Sequence, residues 1–215
     1  MKGFVSVILI VVLSGLIVYA DEPVNNPDNS ENIRWERQIS DPENPEEMLK
    51  VKWDALVKVL EAENLELDRK KAIIDKIIDP IFDFELMSKL ALGKKNWQRL
   101  SESQRQQYSE LFVIRLKNSY REKISSYKKH QNAVFLDSVR NKGKVDIPME
   151  LSSDDMKMTI VYKLRKVEIG WKIYDMEIEG VSIVLTYRSQ FDDILNSGTV
   201  EEFLKQLKFP EKTQS

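Results

Sequence analysis

Apolar residues recur every three or four positions through residues 45–128 and every second position through residues 133–179, so the pattern changes period near Gln131. Met48, Val51, Leu56, Val57, Val59 and Leu60 sit among Lys and Glu and predict an amphipathic helix from Pro45 to about Asn64. Ile73, Ile74, Ile77 and Ile78 place a second helix over residues 66–78, interrupted by Asp79-Pro80. A third, over 83–92, stops at Gly93, the usual residue for a left-handed helix cap. Ser101 and Gln104 form a capping box that opens a long helix running to about Lys128. Along it Tyr108, Phe112, Leu116, Tyr120, Ile124 and Tyr127 make an apolar stripe. Steps of four drift around a helix of 3.6 residues per turn, so the stripe wraps. It reads either as ordinary core packing or, in part, as the wall of a pocket.

Residues 133–139 and 145–151 read as strands joined by the hairpin signal Asn141-Lys142-Gly143. In the second, Val145, Ile147, Met149 and Leu151 alternate with polar residues, and Pro148 points to an edge or a bulge. Residues 152–155 turn into a third strand carrying Met158, Ile160, Tyr162 and Leu164 on one face. Glu168-Ile169-Gly170 turns into a fourth over 171–179. Strict alternation there sends Trp171, Ile173, Asp175, Glu177 and Glu179 to one face and Tyr174, Met176 and Ile178 to the other. From Thr186 the period is helical again, with Tyr187, Phe191, Ile194 and Leu195 on one side, and residues 200–207 form a last short amphipathic helix. The expected class is α+β: a curved antiparallel sheet of about four strands packed against several helices. The tail 210–215 reads as frayed.

Residues 1–20 have one early Lys, an apolar run from Phe4 to Val18, and Ala20 before Asp21-Glu22, the shape of a cleavable export signal. An uncleaved membrane anchor is the alternative, because such a run is just long enough to span a bilayer. Either reading places the remainder outside the cytoplasm. Residues 21–47 hold nine acidic residues against Arg34 and Arg37, with four prolines, and read as a flexible leader too polar to offset its ordering entropy.

The chain has 215 residues, 42% of them hydrophobic and 32% charged, with a formal net charge of −2. That balance supports one globular domain with a real core and speaks against a nucleic-acid partner held by a basic surface. The absence of cysteine removes disulfides, thiol catalysis and Cys-ligated metal. The single His130 lies in a polar run and reads as a solvated loop residue, since a metal site needs several converging ligands. No phosphate loop, nucleophile elbow or H-E-x-x-H is present. Asp146, Asp175, Glu177 and Glu179 are the catalytic candidates, and Asp175 with Tyr162 or Tyr174 would make a base–donor pair of the ketosteroid-isomerase kind. A small-molecule enzyme on such a curved-sheet fold is therefore one reading, an envelope scaffolding protein another. The alternation that groups the acids with Trp171 and Ile173 favours a structural role for them.

Two stretches carry a resemblance. The first is Phe82-Asp83-Phe84, Ala91-Leu92-Gly93, Trp97, Ser101 with Gln104, and Tyr120 near the end of the long helix. The second is Trp171, Tyr174-Asp175, Glu179-Gly180-Val181-Ser182 and Tyr187-Arg188-Ser189-Gln190-Phe191. In this order they resemble the MlaC / toluene-tolerance family of periplasmic phospholipid-binding proteins over about residues 48–209. The long acidic leader departs from the usual start of that family. The resemblance implies a monomeric phospholipid shuttle with no cofactor and no catalytic residues. It would work in the periplasm between an inner-membrane MlaFEDB-like ABC-transporter complex and an outer-membrane lipoprotein–porin complex. It also implies that sheet and helices enclose an apolar pocket for acyl chains. The expected lining is Tyr120, Ile124, Ile147, Met149, Ile160, Tyr162, Tyr174, Met176, Val181, Tyr187 and Phe191, with Arg188 as a candidate head-group contact.

Overall fold

Asn44 opens the described chain by accepting the amides of Glu46 and Glu47 at 2.9 and 3.1 Å, ahead of a proline at the first helical position. A computed structural model describes residues 43–124, 132–153 and 156–208. The N-terminal apolar run, most of the acidic leader, Tyr127, His130 and the tail lie outside them, as does part of the turn expected over 152–155. No helix of the described residues is long and apolar enough to cross a membrane.

Helix α1 spans Pro45–Glu61 and α2 Leu67–Ile78. The first ends three residues before Asn64 because Ala62 is extended, and Lys70 of α2 reaches back to the Leu60 carbonyl at 2.8 Å. Helix α3 spans Phe84–Arg99 behind Asp83, whose carboxylate accepts the Leu86 amide at 3.1 Å. Gly93 does not end it. With φ 73° and ψ 155° it kinks the chain, which then resumes as a further helical segment. Those angles lie in territory open essentially to glycine alone. Arg188 donates to the Leu90 carbonyl at 2.8 and 2.5 Å, satisfying an acceptor that the kink frees. Helix α4, Glu102–Ile124, begins with the expected capping box: the Ser101 amide donates to Gln104 Oε1 at 2.9 Å and the Gln104 amide to Ser101 Oγ at 3.3 Å.

The sheet contains β1 (Asn132–Phe135), β2 (Val139–Asn141), β3 (Lys144–Ser153), β4 (Met156–Lys166), β5 (Trp171–Ile178) and β6 (Val181–Ser182). It is open and antiparallel, in the order β1-β3-β4-β5-β6 with β2 also on β3. Two more strands appear than the alternation predicts. The first expected strand is split at 136–138, and the turn after β5 adds a two-residue pairing. Pro148 explains the split: its carbonyl accepts the Leu136 amide at 2.9 Å, so the side of β3 where it lacks an N–H faces the break between β1 and β2. Lys142 and Gly143 both have positive φ, 41° and 77°, the two-residue hairpin that matches strand twist.

A β-bulge decides how β5 presents its side chains. Leu164 pairs with Ile173 but Lys163 pairs with Asp175, leaving Tyr174 as the extra residue. Ile173, Met176 and Ile178 therefore pair with Leu164, Tyr162 and Ile160 on the face that packs against the helices. Tyr174, expected there by alternation, instead lies under the Lys144 ammonium, 5.0 Å from its ring centre. Helices α5 (Ile183–Ser197) and α6 (Val200–Lys208) complete the described chain. Three groups of buried residues form the core. The largest joins α3, α4, α5, α6 and one end of the sheet, the second joins α1, α2 and Ile124, and the third joins α1, Ile81 and the other end of the sheet.

Candidate functional site

The three core groups meet around a cavity, and each contributes to its walls. Its volume is about 180 Å³. Helix α1 contributes Leu49, Lys52, Trp53, Leu56 and Leu60, and α2 contributes Ile74, Ile77 and Ile78. The connection into α3 and its first turn add Ile81, Phe82, Phe84 and Met87, and α4 adds Leu116, Tyr120 and Ile124. From the sheet come Ile160, Tyr162, Ile173, Met176 and Ile178, and Ile183 closes the α5 end. No carboxylate is among these residues. An apolar space of roughly 150 Å³ holds a benzene-sized molecule, so this space suits hydrocarbon and would leave a sugar or nucleotide unsatisfied.

Beside the cavity, α2 and α4 are joined along a polar seam. Asp75 accepts the Tyr120 hydroxyl at 2.5 Å and Arg121 Nε at 3.2 Å, and Arg121 Nη2 pairs with its second oxygen. One turn away, Lys117 pairs with Asp79 at 2.6 Å and covers the Phe84 ring at 5.4 Å. Asp75 on α2 and Asp79 at its C-cap are four residues apart, as are Lys117 and Arg121 on α4, so both pairs fall on one line along the helices. Asp75 and Arg121 also border a polar surface cleft of about 500 Å³, while Tyr120 borders the cavity. The Tyr120–Asp75 hydrogen bond thus passes through the wall between the two. Burial works against the charged form of Asp75, but hydrogen bonds from Arg121 and Tyr120 and the Arg121 charge outweigh it and hold the carboxyl below its usual value. Burial, then the Asp75 hydrogen bond and charge, push the Tyr120 phenol well above its own. Burial alone raises Tyr162.

A family model described as MlaC protein matches residues 50–209. The chain belongs to the MlaC family. No curated protein matches the sequence. Among solved structures, the chain is similar to a phospholipid-binding protein from Ralstonia solanacearum, determined in complex with a phospholipid. The TM-score is 0.63 and the identity 21%, covering 74% of this chain and 96% of that one. At that identity the likeness speaks for the fold.

In this MlaC-family chain, five of the eleven residues expected to line a pocket border the cavity: Tyr120, Ile124, Ile160, Tyr162 and Met176. The other six lie elsewhere. Ile147 and Met149 are fully buried in the packing of β3 against α1 and against the α3–α5 core. Tyr174 is turned away by the bulge, and Val181 sits half-buried in β6. Tyr187 and Phe191 belong to a close-packed aromatic group with Tyr108, Phe112 and Phe203, ring centres 5.2–6.3 Å apart. Arg188 does not border the cavity; its guanidinium is committed to the Leu90 carbonyl beside Gly93.

Asp175 makes no hydrogen bond to Tyr162 or Tyr174 among the described residues. Asp175 turns its carboxylate to the start of α5. There it accepts the Ser182 hydroxyl at 2.7 Å and the Val184 amide at 3.1 Å, and it also takes the Met176 amide at 2.8 Å. It is 6% exposed, and burial raises its pKa against the pull of those donors. Tyr162 instead faces the cavity beside Met176. The main walls that sequence reasoning left out are those of α1, α2 and the entry to α3, and the first two carry a signal. Their one signal is excess: Ile73, Ile74, Ile77 and Ile78 make an apolar face wider than a single helix contact needs.

Proposed function

We propose that this protein binds phospholipid and carries it by taking acyl chain into the cavity between α1, α2, α4 and the sheet. The observation that supports this most directly is the lining, drawn from all three core groups and free of carboxylates. Membership of the MlaC family supports it further, as does the phospholipid held by the structurally similar Ralstonia protein. The physical demand on such a carrier is simple. At about 0.8 kcal/mol per buried CH₂, moving one long acyl chain through water is opposed by on the order of 10 kcal/mol. A cavity that removes part of this penalty promotes transfer without catalysing any chemical step. Scaffolding alone predicts a filled core, and a space bounded by more than twenty side chains argues against it.

The wider setting belongs to the same proposal: export by the N-terminal segment, residence in the periplasm, and exchange with an inner-membrane ABC complex and an outer-membrane lipoprotein–porin complex. Mass spectrometry of the gently purified protein should find co-purifying phospholipid, and the emptied protein should take up labelled lipid from vesicles. Recovery free of lipid together with no uptake would overturn the reading. The mass of the mature chain, with or without residues 1–20, decides between a cleaved signal and an uncleaved anchor.

A further inference from the structure

The polar side chains that border the cavity can all donate a hydrogen bond. Lys52 and Trp53 on α1 and Tyr162 on β4 all border it. An ammonium and an indole N–H donate hydrogen bonds and accept none. Among the lining residues there is no carboxylate, amide, serine or threonine to act as an acceptor. The Tyr120 hydroxyl is already given to Asp75.

Tyr162 stands apart. Its cross-strand neighbours are Ile147 and Met176, both apolar. Its hydroxyl has no hydrogen-bond partner among the described residues. A phenol in such surroundings is disfavoured relative to a phenylalanine unless something fills the donor's need, and Tyr162 borders the cavity.

We infer that the cavity recognises its cargo through oxygen acceptors, with Tyr162 donating to an ester carbonyl where the acyl chain begins, and Trp53 making the α1 wall favourable to the same electron-rich end. The inference rests on the proposed lipid-binding function and deepens it. The cargo class is an acyl ester, and hydrocarbon chains joined by ether links, or amine-headed amphiphiles without carbonyls, are discriminated against. An ether oxygen is a much poorer acceptor than a carbonyl, so chains of equal length then bind unequally. The ester end is the point at which an otherwise featureless chain acquires a fixed depth in the cavity.

The test uses the full chain, emptied of lipid, and vesicles of phosphatidylglycerol in diester form or in diether form with the same chains. The unaltered protein should load the diester about tenfold better, the difference one hydrogen bond supplies. Tyr162→Phe should bring the two lipids to the same loading, without lowering the melting temperature. Equal loading of the two lipids by the unaltered protein overturns the inference, and that comparison needs no variant. Retention of the preference by Tyr162→Phe overturns the role of this hydroxyl. Loading of neither lipid overturns the lipid-binding function itself, and the inference with it.

Discussion

Removing Asp75 should loosen α2 from α4. The carboxylate is 18% exposed and Arg121 34% exposed, so the pair lies between a surface bridge and a buried one. In Asp75→Ala the Tyr120 hydroxyl loses a charged acceptor, a loss of about 1.5–3 kcal/mol. The half-exposed Arg121 contact adds no more than about 1 kcal/mol. The sum, about 1.5–4 kcal/mol, corresponds to a melting-temperature drop of about 3–16 °C for a domain of this size. The pH dependence carries a sign. Because the folded carboxyl is held below its ordinary value, its stabilising term is complete above the ordinary Asp pKa of about 4. It is lost as pH falls through the lower folded value. Urea titrations at pH 7 and at pH 3 should therefore show a gap between the two proteins that narrows in acid, and α2 amides should lose hydrogen-exchange protection first. A gap below about 0.5 kcal/mol at pH 7, or one that widens in acid, would refute the account of the seam.

Gly93→Ala should lower stability by about 2–3 kcal/mol, because positive φ strains any side chain and the new Cβ would stand 3.3 Å from Arg188 Nε; a circular-dichroism melt within 1 °C of the unaltered protein sinks it. Asp175 should behave oppositely to Asp75. Burial raises its folded pKa, so the unaltered protein should gain stability relative to Asp175→Asn as pH falls from the raised value toward about 4, and a loss over that window in paired denaturation curves contradicts it. Lys117→Met should cost less than about 1 kcal/mol, since Asp79 is 45% exposed, and a penalty matching that of Asp75→Ala would mean the seam is misassigned.

What the sequence makes legible is what local geometry decides. Ser101 and Gln104 lie three apart, and the capping box needs nothing beyond that spacing. The stripe on α4 wraps as its steps of four require. Tyr108, Phe112 and Leu116 enter the α3–α5 core, while Tyr120 and Ile124 have turned toward α1 and α2. The drift is about 40° per step of four residues, enough over sixteen residues to reach a different neighbour. That is why one unbroken pattern serves core at one end and cavity wall at the other. The amphipathic faces of α1 and α2 are equally plain, but an apolar face looks the same in sequence whether it meets a side chain or an empty space.

The segment from Trp171 to Phe191 shows where the pattern misleads. Alternation assumes one residue per pleat, and the bulge at Tyr174 is fixed by pairing with Lys163 and Leu164, ten or more residues away. One extra residue brings Ile173 to the same face as Met176 and Ile178 and turns Tyr174 out of it. After the turn, Tyr187 and Phe191 look as suited to a ligand as to a core, and three aromatic partners from α4 and α6 take them into the core. The chain therefore divides its work at Ile183. Residues before it on β5 give the cavity its wall, and residues after it on α5 pack the interior that holds this wall in place. Asp175, clamped to Ser182 and Val184 across that division, fixes the angle between the two.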